Sequence, residues 1–151
     1  MIKVAFNLFT TCLEILFMKV KIDTKEKFTV LTPEEPVIYD NMADELAAMC
    51  QQYLQGSLKN LILKLNKVHD IDGNIAQKII EIQQSFYDNS ASFIVCEVNS
   101  KITDVFEKED LLEMLNYTPT ESEAWDIVQM EEIERELLDS NDFEFDTEDD
   151  K

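Results

Sequence analysis

Glycine is nearly missing. Gly56 and Gly73 are the only two in 151 residues. Phosphate-cradling loops of the forms GxGxxG and GxxxxGK[ST] draw on several glycines, and neither is present. Histidine is scarcer still, with His69 alone. Nothing in the sequence ties it to a cysteine, so a Cys–His nucleophile pair has no support. Cys12, Cys50 and Cys96 are far apart and form no CxxC pair. That is the usage of a reducing compartment, so a cytoplasmic protein is expected, with Cys50 and Cys96 as small apolar core residues.

Positive charge is also short. Thirteen Lys and Arg face 32 acids, for a formal net charge of -19. Such a charge argues against nucleic acid or anionic lipid as partners. It suits a partner with a basic surface, although solubility alone accounts for it too. A long apolar run is lacking as well. The opening stretch MIKVAFNLFTTCLEILF is interrupted by Asn7 and Glu14. It falls short of the roughly 20 apolar residues of a membrane span. A strand-like pattern starts directly after Met18, so residues 1–17 are expected to be an upstream extension, with a signal or lipid anchor as the minor alternative.

What remains is enough to fold. A chain of this size buries roughly two-thirds of its unfolded surface, and 45% of its residues are apolar. Neither metal nor cofactor is needed, and none is expected. KVKID and KFTVL alternate with period two: Val20 and Ile22 share one face, Phe28 and Val30 another. They predict a hairpin, closed off by TPEEP with Pro33 and Pro36. NMADELAAMCQQYLQG predicts a helix with Asp40 or Asn41 as cap. Met42, Leu46, Met49 and Tyr53 form its stripe, and Gly56 stands where a left-handed terminal residue belongs.

NLILKL, residues 60–65, is continuously apolar, which predicts a strand covered on both faces. IAQKIIEIQQSF follows, with Ile75, Ile79, Ile82 and Phe86 at helical spacing, widened by Ala76 and Ile80. SFIVCEV predicts a second buried strand, and Asn99 or Ser100 opens a short helix after it. NYTPT reads as a turn or edge strand. Thr120 to Glu123 spell a capping box before a last helix that carries Trp125, Val128, Ile133 and Leu137. The acidic stretch 139–151, with Phe143 and Phe145 among the acids, is expected to be a disordered tail. The order β, β, α, β, α, β, α, α predicts an α/β domain over 18–138 with helices packed on a mixed sheet.

The stretch HDIDGN admits two readings. Asp70, Asp72, Asn74 and Glu81 occupy positions one, three, five and twelve of a calcium loop. Position six needs glycine for its sharp turn and holds Ile75. Position eight holds Gln77 rather than an aliphatic residue, and the segment before is a strand, not a helix. The other reading is a strand-to-helix turn. There Asp72 or Asn74 caps the helix, Asn74 and Gln77 form a capping pair, and Gly73 lets the backbone turn. Turns at the carboxyl ends of sheet strands are where α/β domains work.

NLILKLNKVHDIDGN resembles the central motif of the STAS family, the sulfate transporter and anti-sigma factor antagonist domain. An apolar strand there runs into V-x-x-I-D-S-S-G and a helix; Val68, Ile71 and Asp72 match. SFIVCEVNSKITDVFEKEDLLEML resembles the family's next strand and helix, with Asn99, Ile102, Val105, Phe106 and Leu111 at matching positions. TPTESEAWDIV resembles its last helix. The resemblance covers about residues 18 to 138. It implies a small mixed sheet with helices on one side and a protein partner: an anti-sigma factor or kinase-like ATPase. With one histidine, no nucleophile–base pair readable from spacing and no nucleotide loop, no enzymatic activity is expected. Asp70, Asp72, Gly73, Asn74 and Gln77 would form the contact patch. Some members regulate transporter ATPases instead. The resemblance also implies a switch, phosphorylation of the first serine after the aspartate, which adds roughly -1.5 to -2 charges. Here Gly73 stands at that position, so the usual switch has no hydroxyl to act on. Ser100 and Thr103 lie on another helix and read as capping residues.

Overall fold

The computed structural model describes residues 18–56 and 59–139. The expected extension 1–17, and the acidic tail beyond Asp139, lie outside the described residues. The strands are β1 (Val20–Thr24), β2 (Thr29–Pro33), β3 (Val37–Ile38), β4 (Leu61–Lys64), β5 (Asp70–Ile71), β6 (Phe93–Cys96) and β7 (Tyr117–Thr118). The helices are α1 (Ala43–Gln51), α2 (Gly73–Asp88), α3 (Ser100–Lys108) and α4 (Glu121–Asp139). Short 3-10 turns flank α1 at Asp40–Met42 and Gln52–Gln55.

A five-stranded sheet runs in the order β1-β2-β4-β6-β7. The hairpin β1–β2 is antiparallel, and every other pair in it is parallel. The mixed α/β sheet expected from the pattern is therefore present, and NYTPT supplies its edge strand β7. The continuous apolarity of β4 and β6 has the expected consequence. Leu61, Leu63, Phe93 and Val95 enter one core, while Ile62, Ile94 and Cys96 enter a second on the opposite face. Leu46, Ile75, Ile79, Ile82, Phe86, Ile102 and Phe106 from α1, α2 and α3 cover the first face. Ala124 and Val128 of α4 cover the second, with Phe28 and Val30. Packing on one side thus holds for α1 to α3. The last helix crosses to the other side because parallel strands need apolar cover on both.

The α4 side is sealed by polar contacts at the amino ends of β4 and β6. Asn60 and Ser92 are buried there. Asn60 Nδ2 donates to Lys27 O at 3.1 Å and to Glu132 Oε2 at 2.6 Å. The Ser92 hydroxyl donates to Glu131 Oε1 at 2.5 Å. Arg135 Nη2 donates to Asn60 Oδ1 at 3.2 Å and to Ser92 Oγ at 3.1 Å. Of Trp125, Val128, Ile133 and Leu137, the apolar residues expected on this helix, only Val128 is buried. Trp125 sits at the rim against Phe28, with ring centroids 5.3 Å apart, and Ile133 and Leu137 are exposed.

The glycine shortage shows at the helix ends. Gly56 is extended (φ -98°, ψ -176°) rather than left-handed, because the 3-10 turn before it has already ended the helix. Helices α2 and α3 instead close through non-glycine residues, Ser90 (φ 59°) and Asp110 (φ 63°). In each, two reverse bonds complete a Schellman motif: Ala91 N donates to Phe86 O at 2.9 Å and Ser90 N to Tyr87 O at 3.1 Å. Leu111 N donates to Phe106 O at 2.8 Å, and Asp110 N to Glu107 O at 3.0 Å.

Burial pushes the Cys50 thiol up to about 12. The Cys96 thiol rises to about 12 for the same reason. Both are fully buried and free, as expected of small core residues.

Two stability outcomes follow from these contacts. Arg135→Ala strips donors from Asn60 and Ser92 and should cost about 1–3 kcal/mol in urea unfolding. Ser90→Gly relieves a left-handed residue and should add about 1 kcal/mol in the same assay.

Candidate docking surface

The surface begins where β4 ends. Leu65 stays buried and its N–H donates to Cys96 O at 3.0 Å. Val68 N then donates to Leu65 O at 3.1 Å, reversing the chain. His69 N donates to Pro36 O at 2.7 Å, and β5 pairs with β3 in parallel, Val37 with Asp70 and Ile38 with Ile71. This two-stranded patch escaped the sequence reading because a two-residue strand has no period to detect. It fixes the turn against the segment after Pro36. It also brings Tyr39 and Asp40, both exposed, beside Asp72.

Asp72 occupies the N-cap position of α2 with extended backbone (φ -81°, ψ 160°). Its carboxylate does not cap its own helix. It accepts from Asp40 N at 2.8 Å, so it caps the 3-10 turn before α1. That overturns the expectation that Asp40 or Asn41 caps α1 and that the Asp72 or Asn74 side chain caps α2. Asn74 lies inside α2, so the Asn74–Gln77 capping pair is not formed. Both side chains are exposed and have no hydrogen bond among the described residues. Gly73 is the first helical residue, and its φ is not positive. Its role is not a tight turn but close approach. A Cβ at Gly73 would lie 2.6 Å from Glu109 Oε2 and 3.3 Å from Glu109 Cδ.

Asp70 is tied inward. Its Oδ1 accepts from Ile71 N at 2.9 Å, and Lys101 Nζ stands 3.7 Å from its Oδ2. Asn99 braces the whole edge. It accepts from Ile102 N at 2.9 Å as the cap of α3, and its Nδ2 donates to His69 O at 3.2 Å and Val68 O at 3.4 Å. The Thr120 cap of α4 also forms, Glu123 N donating to Thr120 Oγ1 at 3.2 Å.

The geometry is not that of a calcium loop. Leu61–Lys64 is a strand, and α2 starts at Gly73, so Asn74 and Glu81 are helical. Glu81 faces Lys78 at 3.3 Å instead of the turn. Among the described residues, no cluster of three or more His, Cys, Asp or Glu side chains is arranged for a metal. No helix among them is long and apolar enough to cross a membrane.

Because Asn99 joins two loops that share no strand, Asn99→Ala loses a cap and two carbonyl bonds at once. It should cost about 1–2 kcal/mol by urea unfolding. Hydrogen exchange should rise at residues 66–72 as well as in the first turn of α3.

The comparisons with known proteins agree with this architecture. No curated protein matches the chain. An anti-sigma factor antagonist from Mycobacterium paratuberculosis aligns over 74% of this chain and 94% of its own, with TM-score 0.64 and 13% identity. An anti-sigma-factor antagonist (STAS) domain protein from Planctomyces limnophilus aligns over 73% of this chain and 97% of its own, with TM-score 0.63 and 14% identity. A murine solute carrier 26 family anion transporter aligns over 84% of this chain and 25% of its own, with TM-score 0.62 and 13% identity. At such identities these likenesses show the fold alone. The family model described as the STAS domain matches residues 19–124. That match spans both buried strands, the turn between β4 and α2, and the start of α4, and on it the chain belongs to the STAS domain family.

Proposed function

We propose that this STAS protein is a cytoplasmic binding module that docks an anti-sigma factor or kinase-like ATPase, without catalysis and without a serine switch at position 73. The observation that carries the reading is the exposed edge at the carboxyl end of β4. Along it lie the exposed Asn74 and Gln77 and the half-buried Asp70, Asp72 and Gly73, with exposed Tyr39 and Asp40 tied to Asp72 through the Asp40 N–H. Asp70 and Asp72 shape it through their internal bonds; Asn74 and Gln77 are left to meet a partner. A specific interface buries about 800 Å² per partner. The turn alone is too small, so the outer face of α2 and the 3-10 turn at Asp40–Met42 contribute. The surplus of acid suits a basic partner surface.

Absence of the switch follows from the side chain. Gly73 offers no hydroxyl, so charge cannot be added there by phosphorylation. A second reading keeps the same surface and changes the partner to a transporter ATPase. The same fold aligns with a quarter of a murine anion transporter chain.

The experiment is affinity capture with the full chain, identification of the bound protein, and calorimetry with it. Asn74→Arg with Gln77→Arg places positive charge on the surface and should weaken binding at least about tenfold. Gln129→Arg, on α4, should leave it unchanged. Equal affinities for all three proteins would refute the reading.

A further inference from the structure

Glu109 differs from Asp70 and Asp72 in having no partner, and from Asp40, whose carboxylate is likewise unpaired among the described residues, in its seat against Gly73. Asp70 is engaged by Lys101 and the Ile71 N–H, and Asp72 by the Asp40 N–H. The Glu109 side chain is exposed and has neither a hydrogen bond nor an ion pair among the described residues. Its backbone is nevertheless fixed. It is the C-cap of α3, with the left-handed Asp110 directly after it and the Schellman bonds of Asp110 and Leu111 around it. The carboxylate lies over the first residue of α2, where a Cβ at position 73 would come within 2.6 Å of its Oε2. Helix α2 has no acidic residue in its own first turn. A carboxylate near the positive end of that helix is therefore favourable where it sits.

We propose that Glu109 is the specificity-determining charge of the docking surface: an uncommitted carboxylate, seated by Gly73, that pairs with a lysine or arginine of the partner. This rests on the docking reading above and adds the chemistry of the partner's contacting residue. Glycine at 73 and glutamate at 109 then act as one unit. Any side chain at 73 displaces the carboxylate, because the atom it meets is the far end of a flexible chain rather than backbone. Removing either member removes the same interaction, so the two changes should not add.

The test needs no identified partner in its first arm. L-arginine amide hydrochloride is titrated into the isotopically labelled full chain, against sodium chloride at equal ionic strength, and amide shifts are followed by NMR. The largest specific shifts should fall at Gly73, Asn74, Glu109 and Asp110. They should vanish in Glu109→Gln and shrink in Gly73→Ala. Shifts spread evenly over all acidic surfaces, or strongest on α4, would overturn the proposal and leave the docking reading standing. In the second arm, the captured protein is titrated into the same variants. Glu109→Gln and Gly73→Ala should each weaken binding about five- to tenfold, and the double variant no more than either. Additive losses, or full affinity in Glu109→Gln while Asn74→Arg with Gln77→Arg still impairs binding, would overturn the proposal alone. Binding unaffected by every variant on this surface would overturn both readings.

Discussion

Leu61, Leu63, Phe93 and Val95 point to one side of the sheet and Ile62, Ile94 and Cys96 to the other, and all are buried. Each such side chain is worth about 1.5–3 kcal/mol when removed from water. Both faces of β4 and β6 must therefore be covered at once. The parallel pairing of β2, β4, β6 and β7 adds a second demand, since each connection has to cross over and return. Three helices do this on one face, and α4 closes the other. The carboxyl ends of β4 and β6 consequently share an edge, and the loops that leave them meet there. The candidate docking surface is a consequence of how the two central strands are buried.

That edge is held by neutral and backbone contacts more than by charge. Asn99 ties the loop after β4 to the helix after β6, and the short β3–β5 pair ties it to the segment after Pro36. Asp72 spends its carboxylate on Asp40 N, so one residue ends β5, begins α2 and fastens the turn before α1. With the framework bound this way, the side chains of Asn74, Gln77 and Glu109 are left facing outward with no hydrogen bond among the described residues. Two glycines suffice for the chain because Ser90, Glu97 and Asp110 take left-handed conformations that glycine usually fills.

Much of this was legible in the residues. Strands β4 and β6 announced their two-sided burial by unbroken apolarity. The stripe of Ile75, Ile79, Ile82 and Phe86 announced α2. Asn99 and Thr120 cap where their positions suggested. The strand-to-helix reading of HDIDGN held, while the capping assignments within it did not. Side chains of Asp and Asn choose among several nearby N–H groups, and the choice depends on distant segments that local spacing does not reveal. Asp40 is 32 residues from Asp72 in sequence. Likewise nothing near Gly73 points to Glu109, since the contact arises from how α3 ends. The crossing of α4 to the second face was implied by β4 and β6 but not by the helix itself, whose apolar residues divide between core and solvent.

Hydrogen–deuterium exchange of the full chain, alone and with its captured partner, tests the central claim most directly. Added protection at residues 39–42, 70–78 and 107–111, with the α4 segment 125–138 unchanged, is the expected result. Protection centred on α4 with the turn after β4 unaffected would contradict it.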